Sequence, residues 1–416
     1  MKILQINNIH FRRGGADVVY LNTGKLLEKH GHKVFYFSQE NEKNENTNSN
    51  DYFIKETDYF DKTFWNKIYS IPRFFYSNES KSKLSKLITN LSPDIAHVHL
   101  YKGVLTPSIL QVLKNNNIPL IITLHDFGFL CPHNLMLDGK MNICTRCVNG
   151  SPLNCITNKC NRNNLMLSTV SSLEFVFHKI FFPFEQYFDC VILVSKFGQK
   201  MHQSSRVDFN KMVQLYNFYP NLKQLEINCN KGTYFLYFGR LSDEKGVETL
   251  FDAWQKKNRI SKLKVVGIGP LYEKLDILAT AVNNIEILGF KSGEELNKLI
   301  REASFIIVPS ICFENNPLTI IEAYANGKPV IGSNVGGIPE IINDGDTGFL
   351  FEMGSVNDLS DKIINAESID RLEYYRLSTN ARKFAEDHFS EELHYSSLIS
   401  IYKDLINFKS KVNNKI

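Results

Sequence analysis

The stretch KILQINNIHFRRGGADVVYLNTGKLLEKHGHKVFYFS, residues 2–38, decides the fold. KILQIN, residues 2–7, is a short apolar run suited to a strand. A glycine-containing loop leads into Asp17–His30, where apolar residues recur at roughly helical spacing, and HKVFYFS, residues 32–38, reads as a second strand. Strand, glycine loop, helix and strand within ~35 residues make a βαβ unit, and a parallel pair of strands is what needs that crossover. The alternation resumes in DIAHVHL (94–100), PLIITLH (119–125) and DCVILVS (189–195), apolar runs fit for strands covered on both faces. The segment ENEKNENTNSND, residues 40–51, has no apolar face to bury and is expected to be a solvated loop.

Around NFYPNLKQLEINCNKGT, residues 217–233, the pattern breaks into Pro, Asn and Gly. It restarts with YFLYFGR (234–240) and runs on through KLKVVGIG (262–269), IEILGF (285–290), SFIIVPS (304–310) and KPVIGSN (328–334). The expected organisation is two doubly wound α/β domains, 1–220 and 234–390, joined by a linker at 221–233. Residues 391–416 hold a terminal amphipathic helix with no strand partner.

Composition sets the outer limits. A chain of 416 residues, 43% hydrophobic and 22% charged, buries a substantial core and is neither disordered nor fibrous. Forty-eight basic residues against 44 acids leave a formal charge of +4, too balanced for a protein that coats nucleic acid. The N-terminus lacks the apolar core and cleavage site of a signal peptide, and no uninterrupted apolar run of ~18 residues is evident. The expected address is the cytosol, where eight cysteines stay reduced unless they hold metal.

In open parallel sheets, ligands collect outside the carboxyl ends of the strands. Two such domains face to face make a cleft suited to joining two substrates. After the first strand of the second domain, GRLSDEKGVETL (239–250) sets Arg240 and Lys245 on a loop opening a helix, where a guanidinium, an ammonium and helix-terminal amides suit a diphosphate. In PSICFENNPLTIIEAYANGKPVIGSNVGGIPEII (309–342), Glu314 lies in a loop and Glu322 in the following helix. Carboxylates accept from vicinal hydroxyls, so these two suit the two sugar ends of a nucleotide sugar. Pro317 fits a first helical turn and aims free amides at a phosphate. Read singly, each of these residues is also ordinary solvated surface.

With these motifs in order, the chain resembles the family 4 glycosyltransferases of the GT-B fold, which transfer sugar from an activated nucleotide donor with retention of anomeric configuration. The resemblance rests on the spacing Glu314 to Glu322 within FENNPLTIIEA, on YFGRLSDEKGV with Arg240 and Lys245, on VVGIGPLYEKL with Gly267 and Gly269, and on GSNVGGIPEII with Gly336 and Gly337. In the first half RRGGAD with Gly14 and Gly15, PDIAHVH with His97 and His99, and TLHDFGFLCP with His125 look like the acceptor-side lobe. The resemblance implies a catalytic set of His125, Arg240, Lys245 and Glu314. It implies donor contacts from Gly15, Gly267, Gly269, Asn316, Pro317, Leu318, Thr319 and Glu322, and acceptor-side roles for Gly14, Gly15, His97 and His99. It also implies metal-independent chemistry, a nucleoside diphosphate sugar as donor, and a glycan or lipid-linked acceptor in surface polysaccharide synthesis. The last helix is expected to cross back onto the first domain. The pair Gly14 and Gly15 lacks the full GxGxxG spacing, which argues against a dinucleotide oxidoreductase.

Two features stay open. Residues 131–160 hold Cys131, Cys144, Cys147, Cys155 and Cys160. A structural zinc at Cys131, Cys144, Cys147 and Cys160, reduced packing thiols, or a redox pair all fit that spacing. Residues 61–87 mix Lys62, Lys67, Arg73, Lys81, Lys83 and Lys86 with Phe64, Trp65, Tyr69, Phe74, Phe75 and Tyr76, and FVFHKIFFPF (175–184) adds a second aromatic run. That composition suits peripheral contact with an anionic membrane, on the inner face of the cell membrane, or helices packing aromatics inward with lysines in water. The rival functions are a sugar-nucleotide epimerase on the same scaffold and a non-catalytic zinc-stabilised binding module.

Overall fold

The computed structural model describes residues 1–56, 72–205, 207, 209, 211–256, 261–280, 282 and 284–413. Of the mixed aromatic and basic stretch, Lys62, Phe64, Trp65, Lys67 and Tyr69 lie outside the described residues.

The chain folds as two six-stranded, wholly parallel sheets, the two Rossmann-like domains of a GT-B architecture. The first contains β1 (Lys2–Ile6), β2 (Lys33–Phe37), β3 (Ile95–Val98), β4 (Leu120–Leu124), β5 (Cys190–Leu193) and β6 (Met212–Gln214), in the order β2-β1-β3-β4-β5-β6. The second contains β7 (Tyr234–Phe238), β8 (Lys262–Val266), β9 (Ile285–Ile287), β10 (Ile306–Val308), β11 (Val330–Ser333) and β12 (Gly348–Phe351), in the order β12-β11-β10-β7-β8-β9. Strand order reverses between β1 and β3 in the first sheet and between β7 and β10 in the second. Those reversals open crevices at the strands' carboxyl ends. The loops after β7 and β10 carry Arg240, Lys245 and Glu314, so the topology alone brings three of the expected residues to one crevice.

β6 and β12 are absent from the strands expected from sequence. Both are edge strands: β6 is three half-buried residues, and β12 begins with a glycine beside an aspartate-rich turn. Neither offers the long apolar run that marks a strand covered on both faces.

The helix Gly15–Lys29 starts where Asp17 accepts from the backbone N–H of Gly14 at 3.0 Å, and Gly31, with φ of 78°, follows its end. The terminal helix Glu391–Asn413 lies against the first domain. Its Leu398, Ile401, Tyr402 and Leu405 pack with Ile3, Ile95, Ile121 and Ile192, which come from four neighbouring strands. One face of the sheet therefore depends on residues nearly 400 positions away in sequence.

The helix Leu165–Phe181 is covered on one side only. Phe75 meets Phe177 edge-on at 5.4 Å and Tyr76 stacks with Phe182 at 5.7 Å, so these described aromatics pack inward against this segment. Leu165, Met166, Leu173, Ile180 and Phe181 stay 52–72% exposed. By length and composition the segment Leu165–Gln186 is apolar enough to cross a membrane, without being the uninterrupted apolar run that the sequence lacks. The sequence masks it because Glu174, His178 and Lys179 interrupt the apolar positions.

Leu398→Ala should destabilise the protein by about 3 kcal/mol, because it leaves a cavity where the terminal helix meets the sheet. Urea unfolding checks this, and an unchanged midpoint would show that the helix contributes little.

Candidate active site

The second domain presents its chemistry on two adjoining loops. Tyr237 donates its hydroxyl to the carbonyl of Arg240 at 2.7 Å, and the Leu241 amide donates to Ile268 at 3.0 Å, so the loop after β7 is fixed along its backbone. The Arg240 side chain is exposed and has no hydrogen-bond or ion-pair partner among the described residues. Gly267 and Gly269, expected at the donor, have a different task. A Cβ on Gly267 would stand 1.9 Å from the Gly239 carbonyl, and one on Gly269 would stand 2.3 Å from that of Leu241. Their bareness lets the loop after β8 lie flat against the loop that carries Arg240.

Lys245 is not free. Its Nζ stands 2.6 Å from Glu314 Oε1, and that oxygen also accepts from Ser310 Oγ at 2.7 Å. Burial alone would lower the pKa of Lys245, but the Glu314 carboxylate overrides it and raises that pKa. Burial would likewise raise the pKa of Glu314, yet Lys245 and Ser310 hold it below the usual value. The pair is ionised and mutually neutralised. Behind it, the Gly337 amide donates to the Glu314 carbonyl at 2.7 Å, and a Cβ on Gly337 would meet the Asn315 carbonyl at 2.0 Å.

Pro317 caps the helix Leu318–Ala325. Its missing N–H costs nothing at that position, and the next amides stay available. Leu318 faces the first domain, where a Cβ on Gly15 would lie 3.7 Å from Leu318 Cδ1. Thr319 Oγ1 donates to the Phe238 carbonyl at 3.5 Å. Asn316 turns to the segment that links β6 to β7, with Oδ1 accepting from the Asn217 amide at 2.9 Å. Glu322 has no hydrogen bond to its carboxyl among the described residues. Burial pushes its pKa up to about 7, against the pull of Arg12 from the first domain's opening loop.

On the facing edge, His125 follows β4 and hydrogen-bonds through Nε2 to His99 Nδ1 at 2.9 Å. Burial lowers its pKa to about 3, so the ring is neutral at physiological pH. His97, expected on the acceptor side, is 2% exposed, and Tyr402 and Thr123 occupy both its nitrogens at 2.6 and 2.7 Å. It has no atom left for an acceptor. His99 is 3% exposed and tied to Gln5 and His125. Gly14 caps the helix Gly15–Lys29.

A cavity of about 1040 Å³ opens between the domains. His125, Asp126, Lys102 and Glu174 line one wall, and Arg240, Ser242, Glu244 and Pro270 the other. Arg240 and His125 thus share one space. Lys245 and Glu314 stand beside it as a closed pair, and Glu322 sits on the helix facing the glycine loop. Four contributors escaped the sequence reading. Asn315 Nδ2 donates to the Leu124 carbonyl at 3.3 Å while its Oδ1 accepts from Ser195 Oγ, joining the domains one residue before His125. Glu340 accepts from the amides of Lys196 and Phe197 at 2.8 Å each. Lys102 donates to the Gly128 carbonyl and lies 4.4 Å from the Phe129 ring, and burial raises Glu174 beside it to about 7. Asn315 and Glu340 lie inside the quoted motifs FENNPLTIIEA and GSNVGGIPEII, but the partners of all four depend on chain crossings that spacing does not reveal.

The cysteines divide into two groups. Cys147, Cys155 and Cys160 form one buried cluster, while Cys131 packs with Phe127, Leu130 and Met136. The thiols of the expected quartet are neighbours all the same: Cys144 and Cys160 act electrostatically on Cys131, and Cys131, Cys144 and Cys160 on Cys147. Among the described residues no group of three or more His, Cys, Asp or Glu side chains has the geometry to hold a metal ion.

Two family models match the chain, one described as Glycosyltransferase Family 4 over residues 13–220 and one as Glycosyl transferases group 1 over residues 222–384. The uncharacterized glycosyltransferase MJ1178 of Methanocaldococcus jannaschii is 33% identical over 52% of this chain and 60% of its own length. The lipopolysaccharide 1,2-N-acetylglucosaminetransferase of Salmonella typhimurium is 33% identical over 35% of this chain and 41% of its own. These matches span less than two thirds of either relative. The crystal structure of Anabaena Alr3699/HepE in complex with UDP-glucose is similar with a TM-score of 0.62 and 18% identity, covering 99% of this chain and all of that one. At that identity the likeness is one of fold.

Glu322 generates a pH signature. Its folded-state pKa near 7 lies above the unfolded value, so between about pH 4.5 and 7 the native state holds the extra proton and stability falls as pH rises. Glu322→Gln should therefore match wild type near pH 4.5 and exceed it at pH 8, by on the order of 2 kcal/mol. Denaturation at both pH values checks this, and equal stability at pH 8 would mean the carboxyl is solvated.

Proposed function

This chain belongs to the glycosyltransferases of the group 1 and family 4 type, and on that premise we propose that it transfers a hexose, with retention, from a nucleoside diphosphate sugar to a glycan or lipid-linked acceptor. The observation that carries the reading is the Arg240 guanidinium, without a partner among the described residues, on the wall of an interdomain cavity whose other wall holds the neutral His125.

Breaking the sugar–phosphate bond places negative charge on the departing diphosphate. A fixed cation there stabilises the transition state more than the ground state. Arg240 is ready for that charge. Lys245 joins once Glu314 releases it to a phosphate oxygen and turns to donor sugar hydroxyls, and the two cations then take the place a divalent ion holds elsewhere. Glu322, with no hydrogen-bond partner of its own among the described residues, accepts from the ribose hydroxyls. The acceptor oxygen attacks the anomeric carbon from the face the diphosphate leaves, that bond breaks, and the acceptor proton passes to a phosphate oxygen. Closure of the domains expels water that would otherwise hydrolyse the donor.

The first-domain wall mixes polar groups such as Asp126, Asn134 and Glu174 with Tyr101, Phe129 and Phe175, which suits the hydroxyls and apolar faces of a sugar acceptor. The exposed face of Leu165–Phe181 extends from that wall, because Glu174 and Phe175 line it from the same helix. We place this face on the cytoplasmic leaflet of a membrane that presents the acceptor. Surface polysaccharide synthesis is the setting this reading favours.

A thermal-shift panel of nucleoside diphosphates and their sugars tests the donor site. At least one should raise the melting point with concentration, as a ligand specific to the folded state does by ~2.7 kcal/mol at a hundred times its Kd. Arg240→Ala should weaken that response, and an unchanged response would overturn the assignment. Vesicle sedimentation tests the membrane face. Binding to anionic vesicles should fall when Ile180 and Phe181 are both replaced by Ser, and sedimentation equal to wild type would remove the claim.

A further inference from the structure

His125 is the visible end of a buried hydrogen-bonded network that runs back to the terminal helix. Gln5, on β1, is fully buried. Its Nε2 donates to the Tyr402 hydroxyl at 3.4 Å, and its Oε1 stands 3.1 Å from His99 Nε2. An amide oxygen only accepts, so the proton of His99 sits on Nε2. A neutral imidazole has one ring proton, which leaves His99 Nδ1 to accept from His125 Nε2 at 2.9 Å. The proton of His125 is then on Nε2, and Nδ1 keeps its lone pair. The second branch obeys the same parity. Tyr402, taking an N–H on its oxygen, donates its own hydrogen to His97 Nδ1 at 2.6 Å, and His97 Nε2 donates to Thr123 Oγ1 at 2.7 Å. The rings are stacked, His97 on His99 at 4.5 Å and His99 on His125 at 5.2 Å. Burial keeps all three imidazoles neutral, which the parity requires.

We infer that Gln5 and Tyr402 are positioning residues that hold His125 in one tautomer, leaving Nδ1 as a hydrogen-bond acceptor at the cavity wall. The inference rests on the reading of that cavity as the transfer site. An acceptor nitrogen takes an O–H from a sugar hydroxyl. Turning the Gln5 amide over would reverse the chain and offer an N–H instead. The terminal helix thus contributes to the site through Tyr402, although it stays inside the first domain.

The test is nitrogen-15 NMR of the histidine rings in the full chain, with the His125 signals assigned by their loss in His125→Asn. Wild type should show His99 and His125 protonated on Nε2. Gln5→Met removes both amide bonds. It should leave His125 as a mixture of tautomers and lower kcat by ~10-fold with little change in KM, as a misaligned group acting on the transition state does. Gln5→Glu supplies an oxygen that only accepts. It should restore the His125 tautomer and most of the rate, while the His97 proton moves to Nδ1 because Tyr402 then donates to the carboxylate. A proton on His125 Nδ1 in wild type, or an unaltered His125 spectrum in a natively melting Gln5→Met, would overturn the inference. If the tautomer is as expected and no nucleotide sugar is turned over, it is the functional reading that fails.

Discussion

The loop between β10 and the helix Leu318–Ala325 has to satisfy two domains at once, and the site depends on its doing so. Asn315 spends its whole side-chain amide across the gap, donating to the Leu124 carbonyl and accepting from Ser195. Asn316 receives the Asn217 amide from the segment that links β6 to β7, and Glu340 takes two backbone amides at the start of Lys196–Gln203. Buried polar groups stabilise only when their partners are in place, so a domain slipped out of register would strand several at once. Glu314 precedes Asn315 and His125 follows Leu124. The same clamp that joins the domains therefore fixes the facing walls of the cleft.

Charge is distributed around that clamp in a way that favours an arriving anion. The imidazoles of His97, His99 and His125 are neutral, Glu174 and Glu322 are held near protonation, and Lys245 is neutralised by Glu314. Of Arg240, Lys245, Glu314 and Glu322, Arg240 is the one that among the described residues has neither a partner nor burial to restrain it. On the proposed function, a diphosphate entering there meets a cation with no partner among the described residues and a second that a neighbouring carboxylate surrenders. Exchange of Glu314 from Lys245 to sugar hydroxyls conserves the hydrogen-bond count and moves charge to where the reaction creates its opposite.

The architecture was legible wherever an element was long and covered on both faces, as in KILQI, LIITL and YFLYF. β6 and β12 were not, because three or four residues at a sheet edge are too short a run to stand out. Within the site, Arg240, Lys245, Glu314 and Glu322 could be named because the loops and helix that hold them resemble the glycosyltransferase family's motifs, while each read singly is ordinary surface. Their partners could not be. That Gly267 and Gly269 serve backbone approach, that Asn316 serves the segment between β6 and β7 and that His97 is enclosed by Tyr402 are consequences of which segments cross. No local pattern records a contact between residues 97 and 402. How the cysteine run packs was not legible either: Cys131 joins the Phe127 and Met136 cluster, and Cys155 takes a place beside Cys147 and Cys160.

The most direct test of the account is a crystal structure of the protein with a nucleoside diphosphate that stabilises it. The account predicts both phosphates at the crevice between β7 and β10, the Arg240 guanidinium and Lys245 Nζ hydrogen-bonded to phosphate oxygens, and Glu314 parted from Lys245. A diphosphate bound elsewhere, or bound there with the Lys245–Glu314 pair intact and Arg240 turned to solvent, would contradict it.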